Sequence, residues 1–126
     1  MKNLLIIDDD VAFGEMLKDY FSDKGFNVLR AFNGAEGIRL AGEIVPDAIF
    51  LDVMMPGIHG IEVLRSLQAD DITCRIPILI LTGSRFEAHV GDIFKQESNC
   101  VAFLSKTIAM NKLEEQLQSL LQRNAK

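Results

Sequence analysis

Side chains able to do chemistry cluster at a few places in this chain: the acidic run Asp8-Asp9-Asp10, a further acid at Asp52, the hydroxyl of Thr82 and the ammonium of Lys106. Carboxylates crowded together repel, and each raises the cost of ionising the next. A divalent cation relieves that repulsion. An all-oxygen donor set suits Mg²⁺, which keeps several waters and takes only one or two carboxylates together with phosphate oxygens. A lysine beside them supplies a mobile point charge for the same phosphate. Singly, each residue has a commoner structural explanation. An Asp after a strand usually caps a helix or forms a turn, and Asp10 is read that way, as the N-cap of the first helix. A lone Lys is usually solvated. The joint occurrence carries the inference, provided that the fold brings these residues together.

The elements that must position them follow from the apolar pattern. Leu4-Leu5-Ile6-Ile7, Ala48-Ile49-Phe50-Leu51, Ile78-Leu79-Ile80-Leu81 and Val101-Ala102-Phe103-Leu104 are unbroken apolar runs. Such runs suit strands in the middle of a parallel sheet, buried on both faces. Phe26 to Arg30 is more mixed and predicts an edge strand. Pro77 opens its strand, where a missing N–H is tolerated. Helical spacing joins Phe13, Met16, Leu17, Tyr20 and Phe21, with Gly25 as the stop. Asn33 caps a second helix carrying Ile38, Ala41 and Val45, which Pro46 ends. Ile61, Leu64 and Leu67 mark a third. Phe86, Val90, Ile93 and Phe94 mark a fourth, weakened by Gly91, and Leu113, Leu117, Leu120 and Leu121 a fifth. Strand and helix thus alternate as (βα)5, an α/β doubly wound parallel sheet with helices on both faces and right-handed crossovers. In such sheets ligands bind outside the carboxyl ends of the strands. Asp8 to Asp10 follow the first strand, Asp52 the third, Thr82-Gly83 end the fourth and Ser105-Lys106 the fifth, so one sheet edge receives all of them.

Composition bounds the partners. The 126 residues are 48% hydrophobic and 25% charged, as expected of one globular domain over 1–126. The formal charge of −5 argues against direct nucleic-acid binding by this domain. Cys74 and Cys100 lack metal-ligand spacing and read as ordinary reduced thiols. No apolar run approaches a membrane span and no signal peptide is visible, so the expectation is a soluble, cytoplasmic protein with no membrane partner.

With these residues in place, the chain resembles the receiver domains of bacterial two-component response regulators. The resemblance rests on Ile6-Ile7-Asp8-Asp9, Phe50-Leu51-Asp52-Val53-Met54-Met55-Pro56-Gly57, Ile80-Leu81-Thr82-Gly83 and Phe103-Leu104-Ser105-Lys106, and it covers essentially the whole chain. It implies a flavodoxin-like, CheY-like three-layer sandwich with strand order 2-1-3-4-5.

The resemblance also implies a mechanism. Asp52 is the phospho-acceptor, taking a phosphoryl group from a histidine kinase or a histidine phosphotransfer protein. Mg²⁺, or Mn²⁺ in its place, is held by Asp9, Asp52, the backbone carbonyl of Met54, and Asp8 directly or through water. The Met54 sulfur is too soft to serve. Lys106 pairs with Asp52 at rest and with a phosphoryl oxygen afterwards. Thr82 turns its hydroxyl to another phosphoryl oxygen, Phe103 swings into the space behind it, and Gly83 leaves room for the donor. The surface of the fourth helix, fifth strand and fifth helix then reads the state, addressing an output domain or target protein, as a monomer or a weak dimer through that surface. Such a domain is a switch that assists its own Mg²⁺-dependent phosphorylation and dephosphorylation, not a conventional enzyme.

Several residues depart from the family pattern. Thr107 replaces a Pro that usually follows the lysine through a cis bond, and the expectation here is a trans bond with Lys106 aimed differently. The stretch between Thr82 and Lys106 is slightly long, with Ser84 to His89 absorbing the excess. His59 stands where Asp is common and reads as a solvent-facing loop residue. Met54 and Ser84 occupy positions that tune phosphoryl lifetime, and an apolar Met54 points to slow hydrolysis. Two other readings compete. One is a phosphatase of the haloacid-dehalogenase type, using Asp8 and Asp10 as its paired acids, against which Ala12 and the short chain both argue. The other is a non-switching interaction module of the same fold.

Overall fold

The computed structural model describes residues 2–52, 60–82 and 100–124. Five parallel strands, β1 (Asn3–Ile7), β2 (Asn27–Ala31), β3 (Ala48–Leu51), β4 (Ile78–Thr82) and β5 (Cys100–Ser105), form one sheet in the order β2-β1-β3-β4-β5. The helices among the described residues are α1 (Val11–Asp23), α2 (Gly34–Ile44), α3 (Gly60–Ala69) and α4 (Met110–Asn124). The helix expected around Phe86 to Phe94 lies outside the described residues, so α4 is the fifth of the expected series.

Side chains alternate across the pleat, and this explains the unbroken apolar runs. Leu5, Ile7, Ile49, Leu51, Ile78 and Ile80 face one way and pack with Val63, Leu64 and Leu67 of α3 and Ala41 of α2. Leu4, Ile6, Phe50, Leu79 and Leu81 face the other way, against Leu17 and Phe21 of α1 and Leu113, Leu117 and Leu120 of α4. Each strand therefore needs apolar residues on both faces.

The caps follow the sequence signals. Asp10 caps α1, its side chain accepting the Phe13 N–H, and Asn33 caps α2 by accepting from Glu36. At the end of α1, Gly25 takes φ 94°, and the N–H groups of Gly25 and Phe26 donate to the Ser22 and Phe21 carbonyls. This left-handed turn suits a residue without a Cβ. Val45 closes α2 at φ 49°, an unusual place for a β-branched side chain, and Pro46 follows.

Three expectations need correction. The run Val101 to Leu104 lies in β5 at the sheet's outer edge, as the strand order 2-1-3-4-5 requires, and not in its middle as the run alone suggested. An apolar run reports that both faces are covered, and an edge strand meets that condition too: Phe103 packs on one core cluster, Ala102 and Leu104 on the other. Met16, counted in the α1 stripe, is 45% exposed, because the buried line is the narrower Gly14, Leu17, Phe21. Val45 is likewise exposed, since it lies past the last turn of α2. Residues 26–30, expected at an edge, do form one: among the described residues β2 pairs on one side only, with β1.

Candidate functional site: a carboxylate cluster at the switch point

The strand order reverses between β1 and β3, and a crevice opens there beyond the carboxyl ends of the strands. Backbone bonds continue the ladder one residue past each strand. Asp8 N–H donates to Ala31 O at 3.0 Å, and Asp52 N–H donates to Ile7 O at 2.9 Å. These bonds fix both aspartates at the crevice. Asp8 is 3% exposed and Asp52 5%, while Asp9 is open to solvent. Carboxylate oxygens of Asp8, Asp9 and Asp52 all lie within 4.8 Å of one another. Oxygen-only donors, partly buried and open on one side, fit a hard divalent cation that retains water ligands.

Lys106 crosses to this cluster from the turn after β5. Its ammonium lies 2.8 Å from Asp8 Oδ2 and 3.4 Å from Asp52 Oδ2, and 4.7 Å from the centre of the Phe13 ring. The resting partner expected was Asp52, yet the shorter contact is to Asp8, the more buried carboxylate. Burial is the main cause that raises the Asp8 pKa, from the ordinary 3.8 to about 6, aided by the Asp52 charge. The hydrogen bonds from Lys106 and from the Asp10 N–H act against it. For Lys106, burial alone would lower the pKa. The Asp8 hydrogen bond and the charges of Asp8 and Asp52 outweigh it, and the pKa is raised.

The Lys106–Thr107 bond is trans, as is every peptide among the described residues. The expected trans geometry is present, but the lysine still reaches both carboxylates. Asp10 accepts the Phe13 N–H at 3.0 Å and so serves as a helix cap. Asp10, the second acid of the phosphatase reading, is thus engaged as a cap and is not among the three clustered carboxylates. Thr82 closes β4 opposite Ser105 in the β5 register, which puts its backbone beside the strand end that carries Lys106. Phe103 is half-buried against the α2–α3 side of the sheet. Met54, Gly83, Ser84 and His59 lie outside the described residues.

Two neighbours of the site had no functional reading in the sequence. Phe13, read only as core, supplies the ring face beside the Lys106 ammonium. Arg30 of β2 lays its guanidinium over Gly14, donates to the Asp10 carbonyl at 3.4 Å and stacks on Phe32 with 4.5 Å to the ring centre. Gly14 was the available signal, because a glycine inside a helical pattern marks close approach. The cavity of about 220 Å³ bounded by Lys2, Lys24, Phe26 and Leu121 sits at the opposite edge of the sheet and takes no part. No helix among the described residues is long and apolar enough to cross a membrane.

Comparison with known proteins agrees with this geometry. The family model for the response regulator receiver domain matches residues 4–118. The polar-differentiation response regulator DivK of Brucella anthropi is 29% identical over 120 residues, covering 95% of this chain and 96% of DivK. The probable transcriptional regulator ycf29 of Pyropia yezoensis is 31% identical over 122 residues, covering 96% of this chain and 54% of the regulator. The chain thus spans about half the length of several curated relatives it matches. Chemotaxis protein CheY4 of Vibrio cholerae superposes with a TM-score of 0.87 at 26% identity, covering 95% of this chain and 98% of CheY4.

Proposed function

Because the chain belongs to the response regulator receiver domain family, a family of phospho-acceptor switches within two-component systems, we propose that it accepts a phosphoryl group on Asp52 and changes its surface in response. The observation that carries this reading is the Lys106 ammonium held between Asp8 and Asp52 within the three-carboxylate cluster. A cation and a phosphoryl group are the ligands such a site suits.

In the proposed step a carboxylate oxygen of Asp52 attacks phosphorus. The P–N bond of a phosphohistidine breaks, the imidazole nitrogen keeps the electron pair, and an acyl phosphate forms. A carboxylate is a weak nucleophile, so positioning and charge neutralisation supply most of the acceleration. Asp8 and Asp9, with Asp52 and the Met54 carbonyl, would hold Mg²⁺ or Mn²⁺, whose charge offsets that of the carboxylates and the phosphoryl oxygens. Lys106 moves from the carboxylates to a phosphoryl oxygen. Thr82 and Phe103 relay the change to the surface built on β5 and α4 together with the helix expected at 86–94. The donor is a histidine kinase or phosphotransfer protein, and the reader is an output domain or a target protein. The self-assisted reaction, the monomer or weak dimer, and a cytoplasmic setting belong to the same proposal.

The test is intact-mass spectrometry after incubation with acetyl phosphate, with and without Mg²⁺, on the wild type and Asp52→Asn. The expected result is a Mg²⁺-dependent gain of one phosphoryl group that the substitution abolishes. A folded wild type that gains nothing would point instead to a non-switching interaction module.

A further inference from the structure

Lys106 must bridge an unusual span. It leaves the sheet at its edge strand, yet its ammonium meets carboxylates at the ends of β3 and β1. Two strand spacings separate β5 from β3, roughly 10 Å. A long flexible side chain delivers its charge across that distance only if its backbone is held. Small rotations at the Lys106 Cα would swing the ammonium by ångströms.

The residues on either side of Lys106 form a bracket. Ser105 Oγ accepts the Thr107 N–H at 3.1 Å and lies 2.7 Å from Thr107 Oγ1. The Ser105 carbonyl accepts the Ile108 N–H at 3.0 Å, closing the same turn. Thr107 can donate because it is not proline, which has no N–H. We propose that Ser105 and Thr107 are positioning residues whose mutual hydrogen bonds lock the trans turn and aim Lys106 at Asp8 and Asp52. The hydroxyl of one residue and the N–H of the other act jointly, so a trans turn is fixed here by hydrogen bonds where a proline would be fixed by its ring. The role in phosphoryl transfer rests on the proposed function, whereas the aiming of Lys106 does not.

The experiment compares wild type, Ser105→Ala and Ser105→Thr in two readouts. The first is the rate of Mg²⁺-dependent phosphorylation by acetyl phosphate, beside Mg²⁺ affinity measured by calorimetry. The second is amine acylation of Lys106, mapped by peptide mass spectrometry with Lys2 and Lys24 as internal references. In the wild type Lys106 is 14% exposed, so slow acylation is expected. Ser105→Ala is expected to slow phosphorylation about fivefold, the scale of one hydrogen bond, and to speed Lys106 acylation severalfold. Mg²⁺ affinity and the reference lysines stay unchanged, and Ser105→Thr, which keeps the hydroxyl, behaves as wild type. Unchanged Lys106 acylation in Ser105→Ala overturns the bracket, as does a Ser105→Thr variant that behaves like the alanine. A parallel loss of Mg²⁺ affinity also overturns it, by showing general disruption. If the wild type takes no phosphoryl group while Lys106 acylation still rises in Ser105→Ala, the proposed function fails and the bracket stands.

Discussion

Replacing Asp8 with asparagine should stabilise the protein at neutral pH. Asp8 is buried, and its pKa is raised from 3.8 to about 6. A carboxyl whose folded pKa exceeds its unfolded value favours the fold when protonated. That contribution is complete below about pH 3.8 and is lost as pH rises through about 6. Above that range the folded protein holds an ion it would rather hold neutral, even with Lys106 at 2.8 Å. Roughly two pKa units correspond to about 3 kcal/mol. Solvent reaching the crevice on the Asp9 side screens this to about 1–2 kcal/mol. Asparagine keeps the shape and an acceptor for Lys106 without the charge. Urea unfolding followed by circular dichroism, with chelator present, should show Asp8→Asn about 1–2 kcal/mol more stable at pH 7.5 and nearly equal to wild type at pH 4. Adding Mg²⁺ should then stabilise the wild type more than the variant, because ligation adds to the folded state only. A variant less stable than wild type at pH 7.5 would refute the reasoning. It would mean that the Asp8–Lys106 pair contributes more than the burial of the charge costs.

Glycines within one helix should respond with opposite signs. A Cβ on Gly37 would stand 2.6 Å from Ile7 Cδ1 in the core, so Gly37→Ala should cost about 1–3 kcal/mol. A Cβ on Gly42 meets nothing within 4 Å, so Gly42→Ala should gain about 0.5–1 kcal/mol. Thermal melts of the two variants decide both signs. Adjacent aspartates should likewise separate by role. Asp10→Ala should lose about 1 kcal/mol of stability through the α1 cap while keeping Mg²⁺ binding, and Asp9→Ala should do the reverse, as calorimetry with Mg²⁺ and denaturation would show. Tyr20 donates to Glu114 across α1 and α4 at 2.7 Å, and Tyr20→Phe should lower stability by roughly 0.5–1.5 kcal/mol in urea unfolding.

Much of the fold was legible in the residues because the relevant physics is local. Apolar runs such as Ile78 to Leu81 had to be strands covered on both faces, and they are. Asp10, Asn33 and Gly25 mark helix ends through bonds and backbone angles within a few residues: the first two occupy their expected caps, and Gly25 follows the Lys24 cap as the expected stop. The acids at the ends of β1 and β3 and the lysine after β5 were identifiable for the same reason: each stands one or two residues beyond an apolar run. The edge position of β5 was not legible in its own residues, since its run reports covered faces and says nothing of neighbours in the sheet; only the strand order implied by the family resemblance placed it there. Nor was the burial of Arg30 against Gly14, which joins residues distant in sequence.

The sequence by itself thus determined the alternation of strands and helices, the caps, and which polar side chains stand at the strand ends. Only the tertiary structure decided how those side chains share their charges. Lys106 sits closer to Asp8 than to Asp52 although the chain separates it further from Asp8. A charge buried between packed strands most needs a counter-charge, and burial is created by the whole sheet rather than by any residue's neighbours in the chain. The trans turn that aims Lys106 is the converse case. Thr107 in place of proline is visible in the sequence, but the Ser105 hydroxyl that receives its N–H becomes a partner only once the chain turns there.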